Sequence, residues 1–124
     1  MVIRFVVTER HLGYISLRKF IIIISEPPMV IPLTFGMDLF NEGAFAQVSC
    51  IVSQGDEPLH ISWSFHGSHI TNDLGIITTP IGTRGSMLLI SHVKHVHRGN
   101  YTCTAKNDAG VKYQTVELKV NGKY

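Results

Sequence analysis

From Phe45 the chain alternates apolar and polar residues. In Phe45-Ala46-Gln47-Val48-Ser49-Cys50-Ile51-Val52, Ala46, Val48 and Cys50 share one side and Gln47, Ser49 and Ile51 the other, the period of two of a strand with one face in a core. His60 to Phe65 repeats it, grouping Ile61, Trp63 and Phe65. Asn100 to Asn107 does so again, with Tyr101, Cys103 and Ala105 set against Thr102, Thr104 and Lys106. Further strands are predicted at Met29–Phe35, where Pro32 suits an edge, and at Ile76–Thr79, Ser86–Ile90 and Val111–Val120. Between them lie turn-forming runs: Asn41-Glu42-Gly43, Gln54–Pro58, His66-Gly67-Ser68, Thr71–Gly75, Gly82–Gly85 and Asn107–Gly110. Closely spaced strands without a helical period predict an all-β, two-sheet sandwich over residues 29–120.

Composition narrows the picture. A chain of 124 residues holds one domain of this size and no second one. Its net charge of +2 comes from scattered basic residues, so neither a nucleic acid nor an anionic membrane is indicated as partner. The chain has two cysteines, Cys50 and Cys103, and one tryptophan between them, Trp63. Two cysteines on separate strands suggest two sheets bridged through a core that the indole fills. Such a bond would close a loop of about fifty residues, stabilise the fold by roughly 4 kcal/mol and imply the secretory route. The alternative is a pair of buried free thiols in a cytosolic module.

Residues 1–28 read as an N-terminal extension outside the sandwich. Its longest apolar run, Phe20 to Ile24, is five residues, too short for a membrane span or the core of a signal peptide. Residues 121–124 read as a linker.

These residues resemble the immunoglobulin superfamily. The resemblance rests on the Cys50…Trp63…Cys103 spacing, Gly99-x-Tyr101-x-Cys103, Leu88-x-Ile90, and Cys103-x-Ala105-x-Asn107-x-x-Gly110, and it covers about Met29 to Val120. The last of these motifs is similar to the closing hairpin of the intermediate (I-set) subclass found in cell-adhesion molecules. Within the superfamily, Gly82 to Gly110 is most similar to the seventh immunoglobulin domain of the Dscam family of insect adhesion receptors. The resemblance implies a Cys50–Cys103 disulfide, core roles for Trp63, Leu88 and Ile90, and a tyrosine corner at Tyr101. Position 97, often Asp in the family, is His97 here, which removes the ion pair drawn from that Asp. For function it implies a non-catalytic, isoform-specific homophilic module on the outside of the neuronal plasma membrane, within a longer, alternatively spliced receptor of axon guidance and dendrite self-avoidance. Its partners would be an identical copy in trans and neighbouring immunoglobulin domains. The rivals are heterophilic ligand binding and a spacer of the muscle immunoglobulin type.

No catalytic residues are assigned, because the Ser and Asp residues sit in turns without a signature such as G-x-S-x-G. His92, His95 and His97 lie close in sequence but lack a carboxylate or thiol to complete a metal site, so no metal and no cofactor are expected. The sequon Asn100-Tyr101-Thr102 offers Asn100 for N-glycosylation. The candidate homophilic face is the outer side of the Cys50 sheet: Gln47, Ser49, Ile51, Met87 and Leu89, with Ile76 and Thr78 beside them.

Overall fold

A computed structural model describes residues 2–12, 15–70 and 74–122, with side chains from residue 24 onward. The turn expected at Thr71–Gly75 and the linker at 121–124 thus fall partly outside the described residues. Strands β1 (Val2–Leu12) and β2 (Ile15–Ser25) pair antiparallel as a two-stranded sheet of their own. The interrupted apolar pattern of this stretch predicts no such hairpin.

The sandwich follows in chain order: β3 (Met29–Val30), β4 (Phe40–Asn41), β5 (Ala46–Gln54), β6 (His60–Phe65), β7 (Ser68–His69), β8 (Ile76–Ile81), β9 (Gly85–Ile90), β10 (Gly99–Asn107), β11 (Gly110–Leu118) and β12 (Val120–Asn121). One sheet has the order β3-β5-β9-β8, the other β11-β10-β6-β7, and β4 pairs parallel with β12. The strand predicted at Met29–Phe35 is shorter than expected. It stops at Val30 because Pro32 cannot continue the ladder. His66 (φ 51°) and Gly67 (φ 79°) make the two-residue turn between β6 and β7, a geometry that needs positive φ at both positions.

Hydrogen bonds tie Glu26 to the sandwich: the Glu26 N–H donates to Asp56 Oδ2 at 2.8 Å, the Asp56 N–H donates back to the Glu26 carbonyl at 3.1 Å, and Asn107 Nδ2 donates to that carbonyl at 2.7 Å. Pro28 is buried. Gly55 lets Pro28 approach, since a Cβ there would lie 2.7 Å from Pro28 Cα. An extended Pro-Pro lead-in leaves backbone polar groups that need partners, and Asn107 supplies them from the far end of the chain. At the other end Asn121 still pairs with Asn41, and its Nδ2 donates to Asn41 Oδ1 at 3.1 Å.

The core lies between the two sheets. Ala46, Val48, Cys50, Val52, Leu88 and Ile90 from one layer meet Trp63, Tyr101, Cys103 and Ala105 from the other, all buried. Cys50 and Cys103 are bonded, with S–S 2.02 Å. In register, Cys50 stands opposite Ser86, and Cys103 opposite Trp63. The Trp63 Nε1–H donates to Ser86 Oγ at 2.9 Å, so a hydrogen bond crosses the gap beside the covalent bridge. A buried indole N–H requires such an acceptor.

Tyr101 forms the tyrosine corner, its hydroxyl donating to the His97 carbonyl at 2.6 Å. Its ring stacks on Phe65 (4.6 Å between centroids) and meets Phe35 edge-on (5.8 Å). Burial pushes its phenol above the ordinary value of 10.0. His97 makes different bonds from the expected Asp: Nδ1 accepts the Lys94 N–H at 2.9 Å and Nε2 donates to the Leu74 carbonyl at 2.7 Å. The imidazole therefore clips two connections together, through the tautomer protonated on Nε2.

Ser86→Ala, which strands the indole N–H, should lower stability by about 1–3 kcal/mol in urea unfolding without loss of the disulfide. Tyr101→Phe should keep the fold at a cost of about 1–2 kcal/mol at neutral pH. Because the folded phenol titrates above the unfolded one, the tyrosine's contribution is complete below about pH 10 and is lost as pH climbs beyond it. Unfolding curves measured upward from pH 9 should therefore show the wild type losing its advantage over Tyr101→Phe.

Candidate recognition face

Opposed residues of paired strands point to the same side of a sheet, so register decides what the outer face of β5, β9 and β8 carries. On β9, Ser86, Leu88 and Ile90 point inward, leaving Gly85, Met87 and Leu89 outward. On β5, Ile51 stands against Gly85, Ser49 against Met87 and Gln47 against Leu89. On β8, Ile81 stands against Gly85, Thr79 against Met87 and Ile77 against Leu89. The outer surface is thus a grid of three rows: Ile51-Gly85-Ile81, Ser49-Met87-Thr79 and Gln47-Leu89-Ile77.

The structure keeps Gln47, Ser49, Ile51, Met87 and Leu89 on this face and corrects the other two. Ile76 is 1% exposed and packs inward opposite Ile90, and Thr78 stands opposite the core residue Leu88. Their places are taken by Ile77, which is 51% exposed, and Thr79. A one-residue change of parity swaps the faces of a whole strand, and the run Ile76-Ile77-Thr78-Thr79 is too uniform to reveal its parity. Thr78 is exposed although it points inward. Together with Pro80, Leu59 and Ile61 it lines a cleft of about 830 Å³ at the edge of the sandwich. The reason is that β7 pairs with only the last two residues of β6, so the sheets are not closed there.

A Cβ at Gly85 would lie 3.0 Å from Ile51 Cδ1 and 3.2 Å from Ile81 Cβ, so the two isoleucines flank the glycine on either side. The Ile31 N–H donates to the Ile51 carbonyl at 3.0 Å, which brings the exposed Ile31 alongside. Gln47 Nε2 donates to Ser49 Oγ at 2.6 Å, so these two polar side chains partly satisfy each other. No residue of the grid is ionisable. The face therefore mixes five large apolar side chains, Ile51, Ile77, Ile81, Met87 and Leu89, with the polar Gln47, Ser49 and Thr79. Ile77, Ile81 and Ile31 escape a reading of the sequence that takes Ile76 as outward, and only the β8–β9 register identifies the first two.

The other outer face differs. From β10 it carries Asn100, Thr102, Thr104 and Lys106, from β6 His60, Ser62 and Ser64, and from β11 Glu117, Thr115, Tyr113 and Val111, by the pairings of those strands. His92, His95 and His97 do not share a site. His92 is exposed, His95 Nδ1 lies 3.2 Å from Glu42 Oε1, and His97 is buried in its own hydrogen bonds. Among the described residues no group of three or more His, Cys, Asp or Glu is placed to hold a metal ion.

Residues 27–107 match the sequence family described as immunoglobulin domain, and the chain belongs to that family. It is a non-enzymatic module related to those of cell adhesion molecules. It is 34% identical to Cell adhesion molecule Dscam1 of Drosophila melanogaster over 116 residues, covering 93% of this chain and 6% of that protein. With human Cell adhesion molecule DSCAM it shares 36% identity over 93 residues, covering 74% of this chain and 4% of that protein. The chain thus spans only a small part of the relatives it matches. The crystal structure of the Dscam1 Ig7 domain, isoform 5, is 41% identical, with a TM-score of 0.74 over 77% of this chain and 97% of that one. A titin I-band fragment at 24% identity has a TM-score of 0.68 over 77% of this chain and 32% of that one, a likeness of fold.

Proposed function

We propose that this chain is a homophilic recognition module of a Dscam-like receptor, pairing with an identical copy on an opposing membrane through the outer face of β3, β5, β9 and β8. The observation that carries this reading is the shared outward face of Ile51, Ile77, Ile81, Met87 and Leu89, with Ile51 and Ile81 flanking Gly85. In a two-fold contact each patch meets itself, so complementarity is a property of one sequence and any change of isoform alters both sides together. A face without ionisable groups makes shape and the placing of Gln47, Ser49 and Thr79 the source of selectivity. The disulfide fits placement outside the cell, and the similarity to Dscam proteins supports a neuronal receptor of axon guidance and dendrite self-avoidance. Signalling belongs to other parts of such a receptor.

Sedimentation equilibrium tests the face. The wild-type chain should dimerise, and Leu89→Asp, Met87→Lys or Ile77→Asp should each abolish pairing at the same concentration. The introduced charge opposes its own copy, at a cost on the order of several kcal/mol. Unchanged dimerisation of folded variants would contradict the assignment. A wild-type monomer that binds a different protein through this grid would favour heterophilic recognition instead.

A further inference from the structure

The two outer faces of the sandwich are chemically unequal, and the sequon lies on the face opposite the grid. Asn100 opens the outward series of β10, standing opposite Glu117 on β11. It is exposed, and none of the hydrogen bonds among the described residues uses its side-chain amide. Its carbonyl holds the backbone in place by accepting the His66 N–H at 3.2 Å. Thr102, the hydroxyl residue of the sequon, is also outward and shares a hydrogen bond with Thr115 Oγ1 at 2.8 Å. Tyr101, the middle residue, points the other way into the core. Alternation along a strand therefore presents Asn100 and Thr102 to solvent while burying the residue between them.

We propose that Asn100 carries an N-linked glycan and that this glycan covers the polar sheet β11-β10-β6-β7, leaving the grid of β5, β9 and β8 as the bare face. The modification forms a bond from the Asn100 side-chain amide nitrogen to the anomeric carbon of an oligosaccharide, breaks that carbon's bond to oxygen of a lipid diphosphate, which departs as the leaving group, and releases one amide proton to solvent. This transfer takes place in the secretory route, where the Cys50–Cys103 disulfide also forms. The neighbourhood suits a carbohydrate. Thr102, Thr104, Ser62, Ser64 and Thr115 offer hydroxyls along the same face, and its exposed Tyr113 and Val111 lie farther along β11 from Asn100, which stands opposite Glu117. A hydrated glycan there opposes close packing of two polar sheets and makes contact one-sided, which deepens the homophilic reading on which this sidedness rests.

The test uses the whole chain secreted from insect cells behind a supplied signal sequence. Intact mass before and after peptide:N-glycosidase F should show one glycan, absent in Asn100→Gln and Thr102→Ala and retained in Thr102→Ser. A secreted, disulfide-bonded wild type of unmodified mass would overturn the site. Sidedness is read separately: glycosylated and enzymatically deglycosylated protein should dimerise with the same affinity. Abolition of pairing by the glycan, or a second mode of association after its removal, would overturn the one-sided arrangement. A glycosylated chain that stays monomeric in both forms would count against the homophilic reading while upholding the glycan.

Discussion

Two neighbouring ties across the gap between the sheets hold this structure in register. One is the Cys50–Cys103 bond. The other is the hydrogen bond from the Trp63 indole to Ser86. Because Cys50 faces Ser86 across β5 and β9, and Cys103 faces Trp63 across β10 and β6, the two ties share adjacent positions and fix the same four strands. A covalent link alone would permit the layers to swivel about it. A second, directional contact one strand away removes that freedom, and the core packs around a single arrangement.

Once the inward residues of these strands are fixed, their outward residues follow. Leu88 and Ile90 inward mean Met87 and Leu89 outward, and Tyr101 and Cys103 inward mean Asn100 and Thr102 outward. Stability and recognition thus use alternate residues of the same strands. Changes at the inward positions disturb a close-packed core, whereas changes at the outward positions leave that core intact.

Much of this was legible in the amino-acid sequence. The strands around Cys50, Trp63 and Cys103 have clean alternation, so their faces could be assigned; the structure bonds Cys50 to Cys103, joins the Tyr101 hydroxyl to the His97 carbonyl and buries Leu88 and Ile90. Ile76-Ile77-Thr78-Thr79 contains pairs of like residues, and parity there depends on pairing with β9, a non-local fact. Hydrogen bonds of Asn107 to Glu26 and Asp56 were illegible for the same reason, since partners up to 81 residues apart leave no local spacing. His97 could be seen to depart from the family pattern. That it would instead clip Lys94 to Leu74 required the positions of both loops.

The proposed function rests on pairing of two copies through the face that carries Ile51, Ile77, Ile81, Met87 and Leu89. Methyl-resolved NMR across a dilution series tests it most directly, because the Ile, Met and Leu methyls of the grid and those of Thr102, Thr104 and Thr115 lie on opposite faces. The account predicts concentration-dependent shifts of the Ile51, Ile77, Ile81, Met87 and Leu89 methyls, with those of Thr102, Thr104 and Thr115 unmoved. Shifts confined to these threonines, with the isoleucines silent, would contradict it.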